Sequence, residues 1–301
     1  IAKLYTNDGA GTFTEVPNTP FEGVEFSSIA FADVDNDQDQ DVLISGRDSA
    51  ANLHSTLFTN AGGNFTEVMN TPFVAVNTCS IAFADVDGDD DQDVLITGLS
   101  LNNLLVAKLY TNDGNGNFTE VMNTPFEGVK HSAVAFADVD GDNDQDVLIT
   151  GQDIAFENTA KLYLNDGNGT FTEEMNTALI GVIFGAVAFA DVDGDNDPDL
   201  IIAGREAEDT PGTRLYTNDG GIFTLVMGTT FEAIDLASIA FADVDGDGDL
   251  DVASVGRNSS FQRSTKLYLN DAGDFTELAV NPFIPVSSGS VAFADVDGDN
   301  D

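Results

Sequence analysis

One pattern recurs six times in this chain: Phe-Ala-Asp-Val-Asp, with its first aspartate at positions 33, 85, 138, 191, 243 and 295, spaced by 52 or 53 residues. A fixed period of this length marks an array of like units, each too small to bury its apolar face alone. Every full repeat holds four apolar segments separated by turn residues. From Ser132 they read SAVAFAD, DVLITG, AKLYLND and GTFTEEM. All are short, rich in β-branched and aromatic residues and bounded by Gly, Asn or Asp, which predicts strands. The NDGNG between the third and fourth is a tight-hairpin signal. No segment keeps a helical period over ten residues. The predicted class is all-β: a β-propeller of four-stranded blades with a period of 52–53 residues, ringing six or seven blades when complete. The whole of 1–301 reads as one domain, with repeats starting near 28, 80, 133, 186, 238 and 290 and partial blades at both ends. The chain opens at Ile1 in mid-pattern and stops at Asp301 inside an acidic motif, so a longer polypeptide is expected.

The first strand of each repeat is two-faced. Ile29 and Phe31 alternate with Ser28, Ala30 and Ala32, and the same split recurs at Ile81/Phe83, Val134/Phe136, Val187/Phe189, Ile239/Phe241 and Val291/Phe293. A sheet with one bulky and one small face can stack on its own copy. Each of these strands opens with a small residue (Ser27, Cys79, Ser132, Gly185, Ala237, Gly289), as crowding around an axis requires. Cys79 belongs to that column, so it is expected to pack rather than to react.

Between the first and second strands lies an acidic loop. The run Asp243, Asp245, Asp247, Asp249 and Asp251 places five carboxylates on alternate residues. In a plain strand they would share one face about 6.6 Å apart and repel. The full copies are Asp33, Asp35, Asp37, Asp39, Asp41; Asp85, Asp87, Asp89, Asp91, Asp93; Asp138, Asp140, Asp142, Asp144, Asp146; and Asp191, Asp193, Asp195, Asp197, Asp199. A sixth, Asp295, Asp297, Asp299, stops before its ninth position. Numbering each loop from its first Asp, side-chain oxygens are available at positions 1, 3, 5 and 9 and a backbone carbonyl at 7. Position 6 (Gln38, Asp90, Asn143, Asn196, Gly248, Asn300) must turn sharply, which Gly and Asn tolerate. Hard oxygen ligands in this number suit Ca²⁺, about one per loop. Zn²⁺ and Cu²⁺ prefer His or Cys, and the chain has two His and one Cys. The loop is not an EF-hand: its twelfth position is never Glu, and strands flank it.

These residues resemble the FG-GAP/VCBS repeat family, the calcium-loop blades of integrin α-chain propellers and many bacterial surface proteins. The family pattern D-x-D-x-D-G-x-x-D is matched fully by Asp243–Asp251 and, but for the Gly, by the four loops before it. The resemblance spans essentially the whole chain. It implies a ring, usually of seven blades, a structural rather than catalytic Ca²⁺, and a role in adhesion, ligand binding or scaffolding. Six blades, seven blades and an open array all remain compatible with the repeat arithmetic.

Composition narrows the partners. Lys and Arg total 10 against 53 Asp and Glu, a formal net charge of -43, which excludes phosphate-backbone binding. No apolar run reaches the length of a membrane span. One Cys gives no internal disulfide. The expected partner is a protein or glycan ligand at the cell surface, or further copies of the chain.

Three functions compete. The first is a non-enzymatic extracellular calcium-binding module for adhesion or scaffolding, since near-identical blades leave little room for a catalytic site. The second is a self-assembling surface filament in which one subunit lends a strand to the broken blade of the next. The third is a glycan-active propeller enzyme or a lectin-like glycan-binding module. His54 and His131 lack a Ser or Cys constellation and read as surface or loop histidines. Sequons stand at Asn64, Asn117, Asn168 and Asn258.

Overall fold

The computed structural model describes residues 2–175 and 177–297. The predicted strands form in every full repeat. A lone hairpin comes first, β1 (Leu4–Asn7) and β2 (Phe13–Val16). Blade 1 is β3 (Glu25–Ala32), β4 (Asp41–Arg47), β5 (Leu53–Ala61) and β6 (Asn64–Glu67). Blade 2 is β7 (Val76–Ala84), β8 (Asp93–Ser100), β9 (Leu105–Asn112) and β10 (Phe118–Glu120). Blade 3 is β11 (Lys130–Ala137), β12 (Asp146–Gln152), β13 (Asn158–Asn165) and β14 (Phe171–Glu173). Blade 4 is β15 (Ile183–Ala190), β16 (Asp199–Arg205), β17 (Pro211–Thr217) and β18 (Thr224–Leu225). Blade 5 is β19 (Ile234–Ala242), β20 (Asp251–Asn258), β21 (Arg263–Leu269) and β22 (Thr276–Glu277). Each blade is an antiparallel meander. Single pairs, His54–Val76 and Gly212–Ile234, join the third strand of one blade to the first of the next, so blades 1 and 2 form one eight-stranded sheet and blades 4 and 5 another.

The blades stack large face into small. Ala30 and Ala32 of β3 receive Ile81 and Phe83 of β7, with Val94, Ile96 and Tyr110 behind them. The same core repeats between blades 2 and 3, 3 and 4, and 4 and 5. In each interface a buried tyrosine also closes a polar account. The hydroxyls of Tyr110, Tyr163, Tyr216 and Tyr268 accept the backbone N–H of Val74, Glu127, Ile180 and Glu232 at 2.8–3.1 Å. First strands lie side by side around an axis, stitched where the small face offers a hydroxyl: Ser28 accepts from Ile81 N–H, and Ser80 from Val134 N–H. Glycine near the end of the second strand is required by this crowding. A Cβ on Gly98 would stand 2.8 Å from the Cys79 Cβ and from the Asn77 carbonyl oxygen.

Beyond blade 5, residues 287–297 follow the inner-strand path without forming a strand. Among the described residues β1 pairs with β2 alone. The hairpin nevertheless has a fixed seat. Asn7 Nδ2 and Gly11 N–H both donate to the Val296 carbonyl, at 2.7 and 2.9 Å.

Candidate functional site: acidic loops at one end, a ring of bulged residues at the other

The five complete loops sit where predicted, between first and second strands at one end of the stack. Asp299 lies outside the described residues, and Asp297 N–H donates to Asp295 in the sixth copy. Positions 1, 3 and 5 converge in the first loop (Asp33, Asp35, Asp37), and positions 1, 3 and 9 in the next three: Asp85, Asp87, Asp93; Asp138, Asp140, Asp146; Asp191, Asp193, Asp199. In each group three carboxylate oxygens lie within 4.8 Å of one another.

Each loop position has its own task. The position-1 carboxylates accept N–H groups from the loop they open, as Asp138 does from Gly141, Asp142 and Asn143. The turn at position 6 is left-handed throughout, with φ of 72°, 67°, 69°, 74° and 99° at Gln38, Asp90, Asn143, Asn196 and Gly248. Position 4 is left-handed too (Asn36, Gly88, Gly141, Gly194, Gly246), a demand the sequence reading did not assign. The position-7 carboxylates point away from the cluster. Asp39, Asp197 and Asp249 accept from backbone N–H of the next hairpin turn (Gly62, Gly220, Ala272), and Asp91 accepts from Asn36 Nδ2. Asp144 joins none of the convergent groups named above.

Position 9 is a buried latch. Asp41, Asp93, Asp146, Asp199 and Asp251 are at most 1% exposed. One oxygen accepts the N–H of position 2 (Val34, Val86, Val139, Val192, Val244). The other accepts the N–H of an asparagine closing the third strand (Asn60, Asn112, Asn165, Asn218, Asn270). Four of these asparagines reach on to the previous blade: Asn112, Asn165, Asn218 and Asn270 donate Nδ2 to the carbonyls of Val34, Val86, Val139 and Val192 at 2.8–2.9 Å.

The donor set fits a hard cation. Asp35 Oδ1 and Asp87 Oδ1 are buried without a hydrogen-bond partner, a costly state that an ion would relieve. Burial, and then repulsion from the position-5 Asp, raises the position-3 carboxyls of Asp35, Asp87, Asp140 and Asp193 above the usual range. Desolvation pushes Asp93 to about 7 and Asp146 and Asp199 to about 6. All-oxygen donors of like charge are what Ca²⁺ or Mg²⁺ takes, and a loop supplying this many carboxylates suits the larger ion.

The other end is unlike this one. In each repeat a β-bulge opens the first strand, between Glu25 and Ser28 in blade 1 and at the same register in blades 2 to 5. Its residue is left-handed in all five blades: Phe26, Thr78, His131, Phe184 and Leu236 have φ of 46–52°, and Ser288, at the matching place of the sixth repeat where no strand forms, has 55°. Such values are outliers for bulky and β-branched residues. These side chains and the small column Ser27, Cys79, Ser132, Gly185, Ala237 and Gly289 line one axial cavity of about 450 Å³. Cys79 packs as expected, and burial pushes its thiol up to about 12. His131 is neither a loop nor a free surface residue. It lies on the Phe184 ring at 4.0 Å between centroids, and burial, with Lys130 and Arg205 nearby, lowers its pKa to about 4. His54 stands apart in β5, its Nε2 3.2 Å from Asp48 and 3.6 Å from Glu22. Four cations lie over phenyl rings at this end: Arg47 on Phe26, Lys130 on Phe156, Arg205 on Phe184 and Arg257 on Phe261, at 5.1–5.2 Å. Of the sequons, Asn64, Asn117 and Asn168 are exposed, whereas the Asn258 amide is tied to Glu232.

The FG-GAP-like repeat matches residues 2–44, 33–96, 100–149, 150–202 and 191–254. The chain belongs to that family. No curated protein matches it. Among solved structures, YjhT superposes with a TM-score of 0.56 at 11% identity, covering 92% of this chain and 89% of that one. AofleA from Arthrobotrys oligospora gives 0.53 at 13%, covering 94% and 81%. A variant of the Aleuria aurantia lectin in complex with Fucα1-6GlcNAc gives 0.51 at 12%, covering 92% and 87%. At these identities the likeness concerns the fold, which is all-β and of the propeller type. No helix among the described residues is long and apolar enough to cross a membrane.

Proposed function

We propose that this FG-GAP chain is an extracellular glycan-binding propeller module, held rigid at one end by calcium loops and binding sugar at the other. The observation that carries this reading is the bulge ring. Six side chains of five different types occupy one left-handed position of an otherwise repetitive scaffold and line its axial cavity. Bulges re-aim side chains, and strained backbone persists where a ligand site repays it. Aromatic rings accept the apolar face of a pyranose, while hydroxyl and imidazole groups serve its hydroxyls. The lectin among the structural neighbours supports the choice of ligand class. The adhesion role expected from sequence then becomes the case in which the sugar sits on a surface. Calcium at millimolar extracellular levels would fill loops of this kind.

The Val296 contact supports a ring of seven places. Between full blades, the asparagine that grips a loop valine always belongs to the next blade. Read by the same rule, the Asn7 contact favours the β1–β2 hairpin as part of a seventh blade over the outer half of the sixth. The filament reading keeps one observation, the pairing of β1 with β2 alone among the described residues. Electron microscopy of the protein in calcium separates rings from filaments.

The test of function is a glycan array read in calcium, followed by calorimetry on the hits. Binding should fall at least ten-fold in Phe184→Ala and in His131→Ala, with melting unchanged. An array without hits, or hits indifferent to both substitutions, defeats the axial site. Turnover of a bound polysaccharide would replace the module by an enzyme.

A further inference from the structure

Between blades 4 and 5, at the same end, a pocket of about 420 Å³ opens beside the axial cavity. Its floor is Asp235, 1% exposed. Arg257 donates to it from Nε and Nη2 at 2.9 and 2.7 Å, and Arg205 from Nε and Nη2 at 2.9 and 2.6 Å. Among the described residues this is the one place where two cations share a carboxylate. Burial opposes ionisation of Asp235, but hydrogen bonds from Arg257 and Arg205 outweigh it and hold the carboxyl below the usual range. Phe261 forms a wall, 78% exposed and capped on one side by Arg257.

The second acid over this floor is of a different kind. Asp209 reaches Arg205 Nη1 at 3.0 Å with its side chain 81% exposed, and an ion pair so solvated holds weakly. It sits on a tight turn, Ala207–Asp209, where Glu208 and Asp209 are both left-handed at 61° and 64°. The matching turn of blade 2 carries Asn102 and Asn103 in that conformation, and asparagine tolerates it better than glutamate. A strained turn thus holds an exposed carboxylate over two guanidinium groups.

We infer that this pocket binds the carboxylate of a uronic-acid residue, and that Asp209 is the placeholder the sugar displaces. The inference rests on the glycan-binding reading above. Arg205 Nη1 is released with Asp209, and Arg257 Nη1 bonds nothing among the described residues, so the two guanidinium groups can receive a planar carboxylate from two sides. The sugar ring then lies on Phe261. The net charge of -43 repels dense polyanions, so the ligand is a mostly neutral glycan with isolated carboxylates rather than a heavily sulfated chain.

The probe is aldotriouronic acid, a single glucuronate on neutral xylobiose, against its methyl ester, by calorimetry in saturating calcium. The acid should bind at least ten-fold tighter than the ester. Asp209→Asn should raise affinity for the acid three- to ten-fold and leave the ester unchanged, and Phe261→Ala should weaken the acid about ten-fold. Arg257→Gln should abolish the preference; should that variant unfold, the exposed Asp209→Asn carries the test alone. Equal binding of acid and ester, or an Asp209→Asn that leaves the acid unaffected, overturns the inference. Neutral glycans that bind and depend on Phe184, beside an acid that does not outbind its ester, overturn it while the module reading stands. No glycan binding of any kind ends both.

Discussion

Ile81 and Ile29 stand at the same register of two nearly identical first strands, yet one is 7% exposed and the other 53%. Tyr163 is fully buried and Tyr5, its counterpart in the hairpin, is about half exposed. The difference lies in the neighbour. Blade 1 covers the bulky face of blade 2, whereas the bulky face of blade 1 packs only Phe21, Val24 and Phe65 over Val42, Ile44 and Phe58. Repetition of sequence is therefore not repetition of energy. In a stacked array each blade is stabilised mostly through the interface it shares, so identical residues differ in worth with their place.

The largest effect should come from removing the proposed calcium. Each ion bound at 100-fold above its Kd adds about 2.7 kcal/mol to the folded state. Excess EDTA should lower the melting temperature by 10 °C or more, with loss spread over covered blades because their loops are anchored across interfaces. An unchanged melt would remove the ion from the account.

Metal-free protein should next show an unusual response to pH. The folded carboxyls of Asp93, near 7, and of Asp146 and Asp199, near 6, lie above the unfolded value near 3.8, so the folded state binds protons more tightly. Their contribution is full below about pH 4 and is lost as pH rises through 6 and 7. Saturating calcium should reverse the slope, since protons then compete with the ion. Denaturant melts from pH 5 to 8, with and without EDTA, measure both slopes, and parallel slopes would count against ion binding at these loops.

Ile81→Ala should cost about 2–4 kcal/mol and Ile29→Ala less than about 1. Equal losses would mean that something covers the blade 1 face in solution. The smallest contrast is Tyr163→Phe, which leaves the Glu127 N–H without its acceptor at about 1 kcal/mol, against Tyr5→Phe within about 0.5. Chemical denaturation resolves both pairs.

Much of this was readable in the chain. Period, strand order, the large-into-small stacking and the small axial column all follow from side-chain size and alternation, which a sequence displays directly. Carboxylates at positions 1, 3, 5 and 9 were equally visible; the structure brings 1, 3 and 5 together in the first loop and 1, 3 and 9 in the next three. At position 7 the sequence pointed to the backbone carbonyl, but where the carboxylate goes needs the folded turn, which hands Asp39, Asp197 and Asp249 to the next hairpin. The bulge ring was hidden for a deeper reason. Phe26, Thr78, His131, Phe184, Leu236 and Ser288 share a backbone conformation but no common side-chain chemistry, and only the histidine is of a type enriched at positive φ. His131 consequently looked like a stray surface histidine. The pairing of Arg205 with Arg257 on Asp235 needs two blades in register, which no local pattern contains.

The asparagine that closes each third strand ties two things at once: its N–H to its own blade's Asp93, Asp146, Asp199 or Asp251, its amide to the valine of the loop before. That valine in turn donates to the Asp that closes its own loop. From Asp41 to Asp251 the links form one unbroken belt of Asp, Val and Asn running in a single rotational sense. The loops are wired in series, not in parallel. Every cross-blade donor in this belt points to the loop before it, so the molecule has a leading and a trailing direction around its axis that its near-identical blades do not display.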